Sequence, residues 1–298
     1  MKREKKRRLC QIGAAVAFNA YLPAFFQAGI FQGKIKGLCF PALNCYSCPS
    51  ALGACPIGSL QASLASIRLN LEAGQRQFGL YVIGFLTIVG SLVGRLPCGW
   101  LCPFGLFQEL IHRKKGLKVK LPRFVTYGRY LVLLIFVIFL PLLIMDKFGL
   151  GQTWFCKWIC PAGTLEAGLP LILLNENLRS QIGFMFSWKV TLLFLLIGLL
   201  FFIDRAFCRT TCPLGAIWGL FNRASLFQMA IDENHCVRCL SCQQACPVEI
   251  DPSKNPNSPD CIRCLRCLEA CPSRALSYSF LIWPRKTKPV SISQDNQV

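Results

Sequence analysis

The chain has 298 residues, of which 53% are hydrophobic and only 16% charged, with a mean hydropathy of +0.44. Soluble domains carry about 25% charged residues, so an ordinary soluble globular fold is excluded, and this much apolar sequence also excludes intrinsic disorder. The formal charge of +19 would suit nucleic acid, but much of it sits in two blocks beside apolar segments. These are residues 1–8, and His112 to Lys115 continuing through Lys118, Lys120 and Arg123. That distribution marks the cytoplasmic loops of membrane proteins, so no nucleic-acid partner is expected.

Four weakly charged stretches approach the ~20 residues that a helix needs to cross ~30 Å of hydrocarbon. They are residues 9–31, 77–94, 130–145 and 184–203. The first follows a basic head but is long for a signal peptide and lacks a small-residue cleavage site, so it reads as an uncleaved anchor. Pro141 is expected to kink the third. Lys189 lies near one end of the fourth, where snorkelling to the interface is the simple reading. Basic residues at the N-terminus and between spans two and three put both termini inside.

Cysteine decides more than hydropathy. There are 19, against two histidines, His112 and His235. This chain alone cannot build a bis-histidine haem within the membrane, and zinc sites mixing Cys and His are poorly supplied. Thiolate ligation of iron–sulfur clusters is the expectation.

Cys-Pro-x-Gly occurs four times, beginning at Cys55, Cys102, Cys160 and Cys212, and three copies have a second cysteine four residues earlier: Cys98, Cys156 and Cys208. The motifs alternate with the spans, which implies two tandem pseudo-repeats. Cys98 and Cys102 from one half, with Cys208 and Cys212 from the other, fall just past the inner ends of spans two and four. They are candidate ligands of one inner membrane-face cluster, with unligated thiols as the alternative. On the outer side Cys45, Cys48, Cys55, Cys156 and Cys160, with Cys39 as a sixth, are candidates for a second cluster. A disulfide or redox-active dithiol stays open there, because external thiols oxidise readily. Cys10 reads as a buried or interfacial thiol.

From residue 229 the composition changes. Cys236-x2-Cys239-x2-Cys242-x3-Cys246-Pro recurs as Cys261-x2-Cys264-x2-Cys267-x3-Cys271-Pro, the bacterial ferredoxin arrangement stated twice. In that arrangement three thiolates wrap one cube and the fourth ligates the other. Cys236, Cys239, Cys242 and Cys271 are therefore assigned to one [4Fe-4S] cluster, and Cys261, Cys264, Cys267 and Cys246 to a second. Residues 228–232 and 275–280 are expected to pair as a short sheet, and 251–260 reads as a turn-rich connector. His235 reads as a solvated surface residue.

The predicted fold is thus an α-helical membrane domain, residues 1–228, followed by an α+β 2[4Fe-4S] ferredoxin domain, residues 229–281, and a flexible tail, residues 282–298. The double ferredoxin motif after four spans, with Cys98-Gly-Trp-Leu-Cys102-Pro and Cys208-Arg-Thr-Thr-Cys212-Pro beside the membrane, resembles the NapH-type membrane iron–sulfur proteins. It also resembles their NosR-like and oxidase-assembly relatives. The resemblance covers roughly residues 1–280. It implies a cytoplasmic-membrane oxidoreductase subunit of a prokaryote, with quinone as a substrate and with other electron-transfer subunits or a soluble ferredoxin as partners. The cysteines at 45, 48, 55, 156 and 160 exceed the family's two membrane motifs, which suggests electrons crossing to an external acceptor. There is no flavin-binding domain of the NosR kind in this length.

Three functions follow as expectations. The first is electron transfer between a cytoplasmic carrier and quinone or an outer acceptor. The second is a maturation or thiol-reducing factor with Cys156 and Cys160 as its dithiol, and the third is a redox sensor. No catalytic residue can be assigned from sequence. Arg238, Arg263, Arg266 and Arg274 lie where they would favour reduced clusters. Two clusters on opposite faces of ~30 Å of hydrocarbon would be too far apart for one easy step.

Overall fold

The computed structural model describes residues 2–26, 29–72, 74, 79–112, 121–147, 149–180 and 182–280. The expected tail, the basic run from residue 113 to 120 and the start of the second predicted span lie outside them.

Two helices, Phe124–Leu143 and Phe184–Phe202, are long and apolar enough to cross a membrane. Phe184–Phe202 carries one charge, Lys189 near its start, and is otherwise largely apolar, yet only Leu193, Leu196 and Leu200 are buried. Phe194, Leu195 and Leu199 stand exposed, a surface that suits lipid rather than water. The other two predicted spans differ from expectation. Leu80–Val93 has 14 residues, about 21 Å at 1.5 Å per residue, shorter than the hydrocarbon core.

The stretch 9–31 is not one helix. The helix runs Lys2–Phe18, begins inside the basic block and stops where a loop takes over its end. Leu52 donates its N–H to the Phe18 carbonyl, and the Asn19 amide bonds Ala15 O and the Asn44 side chain. A four-residue helix, Pro23–Phe26, follows.

Proline shapes the longer helices. The turns widen into π-helix at Leu133–Phe139, just before Pro141, and at Thr164–Gly168, just before Pro170. A proline lacks the N–H for the regular i→i−4 bond and its ring crowds that carbonyl, and a wider turn relieves both.

The C-terminal part is a two-stranded antiparallel sheet, β1 Phe227–Ile231 with β2 Leu276–Phe280, in register Met229↔Tyr278. Phe227, Met229, Leu265, Cys267 and Leu276 form its small core, with Leu96 and Trp100 of the membrane part packed against it. The main core holds Cys39, Cys55, Cys98, Cys102, Cys160 and Cys212 among Phe104, Phe155, Leu214 and Trp218.

A buried charge network fastens the two parts together. Glu109 pairs with Arg7, Arg205 and Arg266, and Glu4 with Arg7 and Arg266. The N-terminal helix therefore lies against the ferredoxin-like part. Arg7 also donates to Gly99 O at 2.9 Å. Burial alone would raise the Glu109 carboxyl, but Arg205 and Arg7 hold it down at about 2.

Removing one partner from such a network strands buried charges, so Glu109→Gln is expected to cost about 3–5 kcal/mol, read as a lowered melting temperature in detergent. Because Glu109 ionises more readily folded than unfolded, its contribution is complete above the unfolded value of about 4.3. It disappears as pH falls toward 2. The wild-type melting temperature should therefore drop between pH 4 and pH 2 more steeply than that of the variant.

Candidate iron–sulfur sites

The chain folds its cysteines into four groups of four. Each Cys-Pro-x-Gly motif starts a helix with the cysteine at the N-cap and proline in the first turn, where a missing N–H costs nothing. Cys98, Cys102, Cys208 and Cys212 line one cavity, closed by Pro41, Leu43, Phe104 and Trp218. Cys160 faces Cys156, Cys45 and Cys55, which makes a second group. Cys236, Cys239, Cys242 and Cys271 line a third cavity. Cys267 faces Cys264, Cys261 and Cys246, and these four make the last group.

Three cysteines stay outside the groups. Cys48 lies against the Ser50 hydroxyl, with sulfur and oxygen 3.5 Å apart. Cys39 sits in a bridge to Ala54. Cys10 is exposed rather than buried. The cysteines are all free thiols, and Cys45, Cys55, Cys156 and Cys160 lie together with Cys48 beside Cys45. Cys156 and Cys160 both belong to that four.

The first two groups are neighbours rather than being separated by the width of a bilayer. The loop that carries Cys45 runs inward: Leu43 lines the cavity of the Cys98 group, and its N–H faces the Cys102 sulfur. Two residues on, Cys45 joins the other group. At 3.3–3.6 Å per residue the two Cα atoms are at most about 7 Å apart. The Cys98 group in turn abuts the ferredoxin-like part. The Trp100 indole N–H donates to Arg263 O at 3.0 Å, and Asn222 donates to Ser258 O and Cys261 O, both at 2.8 Å.

Several features fit these groups to [4Fe-4S] cubes. Cysteine is the only donor type at their centres. In the ferredoxin-like part, six non-glycine residues adopt left-handed backbone at matched offsets. Arg238, Leu240 and Glu249 have φ of 51°, 60° and 55°, and Arg263, Leu265 and Arg274 have 52°, 62° and 54°. Each costs roughly 1–2 kcal/mol, and such turns aim successive N–H groups into an anion-binding hollow.

Charge agrees with this fit. Burial pushes the Cys246 thiol up to about 12 and Cys261 to about 11, so thiolates here need positive partners. Buried cations supply them: Arg95 and Arg263 beside Cys261, and Lys36 beside Cys45 and Cys48, each with a side-chain nitrogen that has no hydrogen-bond partner.

Sequence reasoning missed the residues that touch sulfur. Gln61 and Gln108 each lie six positions after a motif cysteine. Gln61 Nε2 bonds Cys156 Sγ at 3.2 Å, and Gln108 Nε2 bonds Cys208 Sγ at 3.0 Å. The signal was present in the repeat, as the same residue at the same offset. At the equivalent position in the third motif stands Glu166, which accepts the Cys45 N–H at 2.6 Å. Lys189 does not snorkel: its ammonium bonds Cys156 O at 3.1 Å. His112 is half-buried and bonds Leu200 O, and His235 is exposed and bonds Asp232.

Comparison with known proteins agrees with this architecture. Residues 75–122, 129–170 and 184–231 each match a 4Fe-4S binding domain family, and residues 228–272 match a 4Fe-4S dicluster domain family. The chain belongs to the NapH-type 4Fe-4S membrane proteins related to NosR, and it is an iron–sulfur electron-transfer protein.

An uncharacterised protein of Methanocaldococcus jannaschii is 34% identical over 222 residues, 71% of this chain and 82% of its own length. The ferredoxin-type protein NapH of Escherichia coli is 27% identical over 81% of this chain and 73% of its own. The methylamine utilization ferredoxin-type protein MauN of Paracoccus denitrificans is 27% identical over 81% of this chain and 74% of its own. No solved structure matches.

The contact between the two parts leaves no room for a methyl group. A Cβ on Gly99 would collide with the Ile262 carbonyl oxygen, a backbone atom that cannot swing aside. Gly99→Ala is expected to cost about 1–3 kcal/mol and to expose the 251–260 connector to limited proteolysis.

Proposed function

We propose that the protein conducts electrons from a soluble carrier on the ferredoxin side through the membrane domain to an acceptor on the other face, with four [4Fe-4S] clusters held by the four cysteine groups. When bound, the clusters supply reversible one-electron transfer. The observation that carries this reading is the inward loop. Leu43 at one group and Cys45 at the next remove the ~30 Å gap that clusters on opposite faces would impose.

The residues of the chain divide the work. Cys239 is exposed while Cys267 is buried, so the Cys236 group is the one within reach of a carrier, and the Cys261 group faces the membrane part. Gln61 and Gln108 donate to sulfur, which favours the reduced state. Lys189 and Lys36 bring positive charge to the Cys45 group. The membrane-domain groups are enclosed by Phe104, Phe155 and Trp218, each buried, which keeps water from the clusters. Quinone is the alternative acceptor on the ferredoxin side, where His112 lies beside Asp204. Because His112 Nδ1 faces a carbonyl, it carries the proton in the neutral ring, and Nε2 is left as a base.

Anaerobically purified protein is expected to carry about sixteen iron atoms. Cys55→Ser should lose about four of them, and Cys48→Ser should lose none. In sealed proteoliposomes, reductant on the ferredoxin side should reduce an enclosed membrane-impermeant dye, and Cys55→Ser should abolish this. Eight iron atoms with no transfer across the membrane would refute the conduit.

A further inference from the structure

The two halves clasp each other through a pair of arginines. Arg95 lies three residues before Cys98, and Arg205 three residues before Cys208. Each reaches across to the other half: Arg95 Nη2 donates to Cys208 O at 3.0 Å, and Arg205 Nη1 donates to Cys98 O at 2.7 Å. Each also covers the glycine of the opposite motif, Arg95 over Gly215 and Arg205 over Gly105. By position the two arginines are equivalents.

Electrostatically they are not. Arg205 is neutralised by Glu109 at 2.6 Å. Arg95 is 1% exposed; its side chain donates to two carbonyls, Cys208 O and Pro259 O, the latter at 2.9 Å, and lies against the Cys98 thiol. Its Nε has no partner, and among the described residues no carboxylate pairs with it. A buried cation of this kind is tolerable only beside an anion. Its two carbonyl partners belong to different places. Cys208 is in the inner membrane group, and Pro259 is two residues before Cys261 of the ferredoxin-like part.

We infer that Arg95 is the shared counter-charge of the two adjoining cysteine groups, Cys98/Cys102/Cys208/Cys212 and Cys246/Cys261/Cys264/Cys267. It sets both reduction potentials together, so that an electron arriving from the ferredoxin side finds the junction poised to receive it. This rests on the cluster reading above. A positive charge held between two clusters favours the reduced, more negative form of each. Arg263 does not serve both: its guanidinium bonds Val93 O and Asn222 O and lies over the Phe227 ring. Arg95 is a positioning and tuning residue rather than a ligand.

The test is redox-titrated EPR of the full-length protein in detergent, with iron quantified in every preparation. Signals are assigned by their loss in Cys212→Ser and Cys264→Ser. Arg95→Gln is expected to keep its iron and to shift the reduction equilibria of both adjoining clusters at least tenfold toward the oxidised form, 59 mV for one electron. The signals of the Cys236 and Cys45 groups should stay within threefold. Arg95→Lys, which keeps the charge, should leave all four within threefold.

Should Arg95→Gln lose iron, Asn222→Asp decides. The Asn222 side-chain oxygen accepts the Arg95 backbone N–H at 3.0 Å, and a carboxylate there should shift the same pair in the same direction. The inference is overturned if neither variant moves the pair, if only one of the pair moves, if all four signals move alike, or if Arg95→Lys behaves like Arg95→Gln. Failure of the cluster reading itself would look different: wild-type protein would lack the iron assigned to the Cys98 group.

Discussion

Cysteine thiols can be buried as thiolates only if positive charge is buried with them, because leaving water disfavours the charged form of an isolated group. That constraint organises this molecule. Around the membrane groups stand Arg95, Arg205, Lys36 and Lys189, and Arg263 stands beside Cys261. Among the described residues, only Arg205 of these is matched by a carboxylate, that of Glu109. The remaining positive charge has the iron–thiolate groups as its natural complement. Mixed apolar and cationic walls of this kind hold an inorganic anion in place and bias its charge state.

The same constraint explains the joint between the two parts. A ferredoxin-like module docked on a membrane domain by apolar contact alone would bury carbonyls at the seam without partners. Here Arg95, Trp100, Asn222 and Arg263 donate to Pro259, Arg263, Cys261 and Val93 carbonyls. Beside them, buried Glu109 gathers Arg7, Arg205 and Arg266. Buried donors satisfied in this way fix one docking geometry, and that geometry sets the Cys261 group beside the Cys98 group.

Duplication provides the scaffold, and departures from it provide direction. Gln61 and Gln108 keep the repeat, each bonding a cysteine sulfur of the opposite half. Glu166 and Trp218 occupy the same offset in the other two motifs but do different work, Glu166 accepting the Cys45 N–H and Trp218 donating to Leu86 O. Arg95 and Arg205 keep the repeat in position but not in charge balance. Equivalent sites thereby acquire different electrostatic surroundings, which a directional relay requires.

The sequence by itself determined the 4Fe-4S character of the chain, the dicluster motif within residues 228–272, and the two long apolar helices. Each of these is written in local spacing or composition, and spacing limits which thiols one turn of chain can present together. The strand pairing at residues 228–232 and 275–280 was legible for the same reason, within a residue at either end. What only the tertiary structure decided was long-range. The first predicted span breaks at Phe18, whose carbonyl a distant loop takes through the Leu52 N–H. Lys189 turns to Cys156 because the packing of span four places it there. The inward loop brings Leu43 and Cys45 between two groups that hydropathy alone would assign to opposite faces. Hydropathy measures how far a segment prefers lipid to water, and it carries no record of which backbone N–H groups another part of the chain will satisfy.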